Sequence, residues 1–460
     1  MATLKCALWR SLVLVPSDHI RRLVEQRYQL GHGRVVAALT RRFGADRLPA
    51  IENAVQDAYV RALERWPGDG VPSEPERWLV RVAHNGLVDA LRRERATEPI
   101  DVAASVQAEA PAFDAGDELR LMFLCCDPCL TRAAQIALVL SVAFGLNARQ
   151  IARAFLSDER TVAQRLVRAK QRLRDERVRF DVPNAPALPE RLAAVLDVLY
   201  VVFSEGFTPT DDEAALDGAL CHEALRLVRL LTETEATATP SAFALRALMC
   251  FHASRIPARV ADDGSVLLIA DQDRARWDAA LLAEAFWCLD DAGSGEALTR
   301  FHLEAAIAGH HALGSTYATT DWARIVELYD MLRACAPSLV VDVNRALARA
   351  MLLGAQVGLD ELDAIPERDV IARYPYALAA YADLHASLGN LDEARHYLDR
   401  ALDHQSASIQ RLLLERKRRA LDKPSRPPFS TEESPVIMRS NLESFWTHAL
   451  YRLKARAENE

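Results

Sequence analysis

The stretch LNARQIARAFLSDERTVAQRLVRAKQRLRD, residues 146–175, leaves the backbone few solutions. Its apolar side chains recur at helical spacing, Ile151 and Phe155 in a first short segment and Val162, Leu166, Ala169 and Leu173 in a longer second one. Asn147 precedes the first segment and Ser157 or Asp158 the second, each a residue type that caps a helix N-terminus. The pattern predicts a short helix, a tight turn and a longer basic helix, a helix-turn-helix arrangement. Arg160, Thr161, Gln164, Arg165, Arg168 and Arg172 project away from the apolar seam of the second helix. If that helix enters a major groove, Arg160, Thr161, Gln164 and Arg165 face base edges, while Arg168 and Arg172 neutralise phosphates.

Helical periodicity also dominates the rest of the chain. Residues 20–43, 48–66 and 75–95 read as helices, the last two separated by the breaker-rich loop PGDGVPSEP. In the third, Trp78, Val82 and Leu87 point inward and Arg77, Arg81, Asn85, Arg92 and Arg95 outward; Trp78 is expected in the core because it shares a face with Val82. With only 18 glycines in 460 residues, and Ala, Leu and Arg prominent, the fold class expected is all-α. That length exceeds what one core holds, so two or three domains are expected.

Charge divides the chain. Residues 1–180 hold 28 Lys and Arg against 22 Asp and Glu, whereas residues 181–460 hold 28 against 42. Within the front part, residues 96–118 carry six acids and no base, which reads as an acidic flexible linker, 97–118, between two basic blocks. A basic front suggests contact with nucleic acid. From about residue 186 to 421 the pattern is helical, with breaks near 206–209, 238–240, 262–264 and 291–295. Ile325, Tyr329, Leu332 and Pro337 share their spacing with Ala394, Leu398, Ala401 and Ser406, 69 residues later, close to two tetratricopeptide periods of about 34. A weaker middle repeat is expected around Leu359, and 321–406 is read as the repeat region. Residues 422–460 form a divergent tail.

Several chemistries find no support. No P-loop, GxGxxG, HExxH or serine-hydrolase elbow occurs, so no enzyme is expected. Cys125, Cys126 and Cys129 include a CxxC step without a second Cys/His pair at matching spacing, and read as apolar core rather than zinc ligands. His310 and His311 read as structural, and Asp271 and Asp273 as helix caps and ion-pair partners. No cofactor or metal is expected. No apolar run reaches the roughly 20 residues of a membrane span, and the location expected is the cytoplasm.

The residues resemble a known family at several points in order. Residues 146–175 are similar to region 4.2 of bacterial sigma factors, AVQDAYVRALERW (54–66) resembles region 2.2, and RWLVRVAHNGLVDALRRER (77–95) resembles regions 2.3 and 2.4. The absence of a region 3 domain between them is the layout of the extracytoplasmic-function (ECF) group of the sigma-70 superfamily. LMFLCCDPCL (121–130), VLYVVFSEGFT (198–208), ADQDRARWD (270–278) and the repeats resemble the subgroup with a long tetratricopeptide-like C-terminal extension. Asn53, Asp127 and Ser204 stand where that pattern usually has an acid, a histidine and an asparagine.

The resemblance implies a region 2 domain over 17–96, a region 4 helix-turn-helix domain over 119–180 and a C-terminal helical domain over 186–421. It implies that Asn53, Gln56, Asp57 and Arg61 dock the clamp helices of the polymerase β′ subunit, region 4 meeting the β flap. Arg77, Arg81, Asn85, Arg92 and Arg93 would hold the unwound −10 strand of promoter DNA, with a flipped base near 69–76. On this reading the chain initiates transcription with core RNA polymerase, and the C-terminal domain, with a protein or ligand partner of its own, replaces a separate regulator. Two other readings compete. A self-sufficient helix-turn-helix regulator needs a dimer for two half-sites and has no use for a clamp-docking helix. A repeat scaffold with a merely basic front predicts no salt-dependent DNA affinity.

Overall fold

The computed structural model describes residues 20–95, 111–207, 218–259, 267–404 and 408–422, apart from positions 22, 25, 26, 29, 30, 155, 156, 296 and 315. Among the described residues every regular element is a helix, so the fold is all-α. The chain divides after Val198 into two compact units.

In the first unit, helix α1 (31–43) is followed by α2 (Leu48–Asp69) and α3 (Pro75–Arg95). The apolar stripe of α2 is buried as its period requires, with Ile51, Val55, Ala58 and Ala62 each at 0% exposure. This helix runs one turn beyond the expected Trp66. Pro67 falls near its C-terminus, and Gly70, at φ +82°, closes it by donating its N–H to the Trp66 carbonyl. On α3 Leu79, Ala83 and Leu87 are buried; Trp78 and Val82 are half-buried, Trp78 edge-on to Trp66 at 5.5 Å between centroids.

The stretch expected to be linker, 97–118, is helical from Ala115. Helix α4 (Ala115–Cys125) starts there because Asp114 accepts the Gly116 N–H, a cap that composition alone does not reveal. Among its described acids Asp117, whose side chain is 2% exposed, pairs with the distant Arg41 at 3.0 Å and with Arg120 at 2.8 Å. Residues 96–110 lie outside the described residues.

Helices α5 (Arg132–Val142), α6 (Ala148–Ala154) and α7 (Glu159–Asp175) complete the unit together with the first part of α8 (Leu188–Phe207). Asp127, in the segment 121–130, pairs with Arg191 at 3.1 Å, and Arg191 also donates to the Phe123 carbonyl. The two basic blocks pack on one another. Tyr28 donates to the Gly145 carbonyl at 2.9 Å, and a Cβ on Gly33 would lie 2.5 Å from the Ala143 carbonyl oxygen. Glu52 of α2 pairs with Lys170 of α7 at 2.5 Å, their side chains 9% and 17% exposed.

The second unit is built from the rest of α8 and from α9 (Gly218–Glu233), α10 (Pro240–Ala253), α11 (Ile256–Arg259), α12 (Ala279–Ala292) and α13 (Arg300–Leu313), followed by α14 (Trp322–Cys335), α15 (Leu339–Leu353), α16 (Ala355–Asp363), α17 (Arg368–Ile371), α18 (Pro375–Ser387), α19 (Leu391–His404) and α20 (Ser408–Ala420). Glu284 on α12 receives hydrogen bonds from Arg229 at 2.7 and 2.6 Å and from Arg246 at 2.8 Å. Burial alone would raise its pKa, but these guanidinium bonds hold the carboxyl down at about 2.

The segment ADQDRARWD works as a brace. Asp273 caps a short 3-10 turn, Arg274 donates to the His311 and Gly314 carbonyls at the end of α13, and Asp278 caps α12. From α14 onward α14 packs on α15, α15 on α16, α16 on α18, α18 on α19 and α19 on α20. Ile325, Tyr329 and Leu332 on α14 and Ala394, Leu398 and Ala401 on α19 are buried, as their shared spacing predicts, and Leu359 and Leu362 on α16 join a core with α15 and α18.

Candidate nucleic-acid and polymerase interface

Each of the helices α6 and α7 starts at a side-chain cap. Asn147 and Gln150 exchange hydrogen bonds, the Gln150 N–H to Asn147 Oδ1 at 2.9 Å and the Asn147 N–H to Gln150 Oε1 at 3.0 Å, a reciprocal box that starts α6. Asp158 accepts the Thr161 N–H at 2.9 Å and starts α7. Ile151 is 1% exposed; the Phe155 side chain, expected beside it, lies outside the described residues. Gly145, at φ +73°, ends the preceding turn where a Cβ would meet the Tyr28 ring at 2.7 Å, so both its conformation and the space require glycine.

On α7 the expected seam is buried: Val162, Leu166, Ala169 and Leu173 are between 1% and 7% exposed. Arg160, Thr161, Gln164, Arg168 and Arg172 are exposed. Arg165 is half-buried on the flank of the seam, off the centre of the outward face. Arg172 pairs with Glu176 at 3.3 Å, and its guanidinium is divided between that carboxylate and solvent. Val167 is 68% exposed, an apolar residue outside the seam period.

On α3 the residues expected to hold a DNA strand, Arg77, Arg81, Asn85, Arg92 and Arg93, are all exposed, and the spacing of the first four places them on one side. Arg77 pairs with Glu74 at 2.9 Å, and Arg93 donates to the Asp89 carbonyl. On α2, Asn53, Gln56, Asp57 and Arg61 are exposed, and their spacing places them on one face. Gln56 sits at its edge with its amide beside the Tyr28 hydroxyl. The expected set omitted Val60, 52% exposed between Asp57 and Arg61 on the same face. An apolar residue out of register with the buried stripe is the signal by which both valines can be found.

The cysteines near α4 are not poised for chemistry. Burial pushes the Cys126 and Cys129 thiols up to about 12, so as free thiols they stay protonated and are poor nucleophiles. Among the described residues no group of three or more His, Cys, Asp or Glu side chains is placed to hold a metal ion. No helix among them is long and apolar enough to cross a membrane.

Residues 30–97, which span α1 to α3, match Sigma-70 region 2. This match puts the front of the chain in the sigma-70 superfamily and carries with it, in general terms, binding to core RNA polymerase and promoter DNA. Residues 191–293 match a family of unknown function (DUF6596). An uncharacterized protein of Rhizobium meliloti (strain 1021) is 37% identical over 366 residues, covering 77% of this chain and 86% of the relative. The chain belongs to one family with that protein. No solved structure matches it.

Proposed function

We propose that the chain is a sigma factor of the ECF type, which joins core RNA polymerase, recognises −35 and −10 promoter elements and captures the opened strand. The observation that carries this reading is the coexistence, in one unit, of a Sigma-70 region 2 match over α1–α3 and a capped helix-turn-helix whose second helix turns Arg160, Gln164 and Arg168 outward. Region 2 alone would dock and hold a strand; the α6–α7 pair supplies a duplex reader for the −35 element. The roles follow from side-chain chemistry. Gln164 and Arg160 offer amide and guanidinium forks to base edges, and Arg168 and Arg172 neutralise phosphates. Arg77, Arg81, Asn85, Arg92 and Arg93 track a single strand, and Asn53, Gln56, Asp57 and Arg61 meet the β′ clamp helices. The chain contributes binding and strand capture, and RNA synthesis belongs to the polymerase.

The second unit, with helical hairpins resembling tetratricopeptide repeats, acts in this reading as an attached regulator. What supports this is the acidic excess of residues 181–460, 42 acids against 28 bases, on the same chain as a basic reader.

The test is transcription from a promoter library by purified core polymerase with and without the chain, beside Arg168→Ala. Promoter-specific transcripts that need the chain and weaken in the variant are expected. Duplex binding without polymerase and no transcripts would favour a stand-alone regulator.

A further inference from the structure

We propose that Val167 is a base-reading residue whose isopropyl group contacts the C5-methyl of a thymine, on the base pair beside the one read by Gln164. This rests on the reading of α7 as the helix that enters the −35 major groove.

The argument begins with position on the helix. Arg160, Gln164 and Val167 stand at i, i+4 and i+7, one face of α7, opposite the buried seam of Val162, Leu166, Ala169 and Leu173. That face is the part of the helix a groove would receive. Val167 is the ninth residue of α7, about 12 Å from its start, and the major groove is about 12 Å wide. Three residues of helix advance about 4.5 Å, against about 3.4 Å between base pairs, so Gln164 and Val167 address neighbouring pairs.

The chemistry is equally restrictive. An isolated exposed apolar side chain needs no explanation on an ordinary surface. Val167, however, is 68% exposed among arginines and glutamines, and a β-branched residue there costs helix propensity without adding to the core. The one apolar group that DNA presents in the major groove is the thymine methyl. Gln164 beside it suits the N6 and N7 edge of adenine, and the Arg168 guanidinium reaches backbone phosphate. A valine in this setting discriminates thymine from cytosine, which lacks the methyl.

The experiment uses holoenzyme formed from core polymerase and the full chain. The preferred −35 sequence is selected from a randomised duplex pool. Each thymine in it is then replaced in turn by deoxyuridine, which removes the methyl and keeps the hydrogen-bonding edge. At one position binding falls roughly fourfold, the effect of one lost methyl contact. In Val167→Ala that same replacement changes nothing, while other positions respond as before. Gln164→Ala is run alongside as an independent reporter of α7. Deoxyuridine silent at every position, or a loss that persists in Val167→Ala, overturns the proposal. If Gln164→Ala still shifts the selected sequence, only the valine contact has failed; if no α7 variant shifts it, the groove-reading role of α7 falls as well.

Discussion

His32 sits against the Tyr28 ring, 4.8 Å between centroids, with Tyr59 at 6.4 Å on the same side of α1. Neither ring nitrogen has a hydrogen-bond partner among the described residues. Burial, with a smaller contribution from the Lys170 ammonium, lowers its pKa to about 4. The unfolded chain takes up a proton near pH 6.5, and the native one resists until about pH 4. The stabilisation from holding this ring neutral is therefore complete above about pH 6.5 and is lost as the pH falls through that window, at about 1.4 kcal/mol per pH unit. Thermal unfolding followed from pH 7.5 to 4.5 should show this slope, and His32→Phe should flatten it for the first unit. His311 in the second unit, brought to about 3 by burial and by Arg255 and Arg274, acts with the same sign, so the variant leaves a residual slope. An unchanged slope in His32→Phe would remove His32 as its source. The Glu52–Lys170 pair is the other exacting residue contact. Lys170→Ala leaves a carboxylate at 9% exposure without its partner and should cost about 3 kcal/mol, read from the denaturant midpoint.

At the scale of elements, α7 separates stability from function by face. Leu166→Ala removes a seam residue and should cost about 2 to 3 kcal/mol, whereas Gln164→Ala should stay within about 0.5 kcal/mol and alter only DNA preference. Arg168→Ala should weaken binding evenly across sequences and reduce the salt slope by about one unit, measured as affinity against salt concentration. A sequence-dependent loss would instead place Arg168 on a base edge. The α2 face shows the same division. Its buried stripe was legible from period alone. The exposed Val60 was not, because a period search collects apolar residues that agree with the stripe and passes over the one that does not.

At the scale of the whole molecule, the packing of the two basic blocks has a mechanical consequence. Elements named −35 and −10 lie about 25 base pairs apart, or about 85 Å at 3.4 Å per pair. A compact body of the first unit's size has a radius of gyration of about 16 Å. On the proposed function, α3 and α7 cannot reach both elements while Glu52 holds Lys170 and α1 lies on Ala143. Promoter binding should then lengthen the distance between dyes placed at exposed Asp89 on α3 and Gln171 on α7, seen as a fall in energy transfer. Unchanged transfer in a promoter-bound holoenzyme would show that the close packing survives recognition. Residues Arg132 and Arg191 bind Asp197 and Asp127, so a truncation that removes the second unit must retain α8 up to Val198.

What the chain order and side-chain types determined by themselves was local. The all-α class, the seam of α7, the Asn147 and Asp158 caps and the outward arginines follow from a 3.6-residue period and from hydrogen bonds that close within four residues. The tertiary structure decided where charge is spent. Six acids and no base over 96–118 read as a free tether, yet Asp114 and Asp117 meet Arg41, more than 70 positions away, and start a helix instead. Glu52 of α2 likewise meets its partner Lys170 118 residues on. Composition records how many charges a segment carries. Whether they face water or a distant partner is set by which surfaces the fold brings within a few ångströms, and no local pattern encodes that.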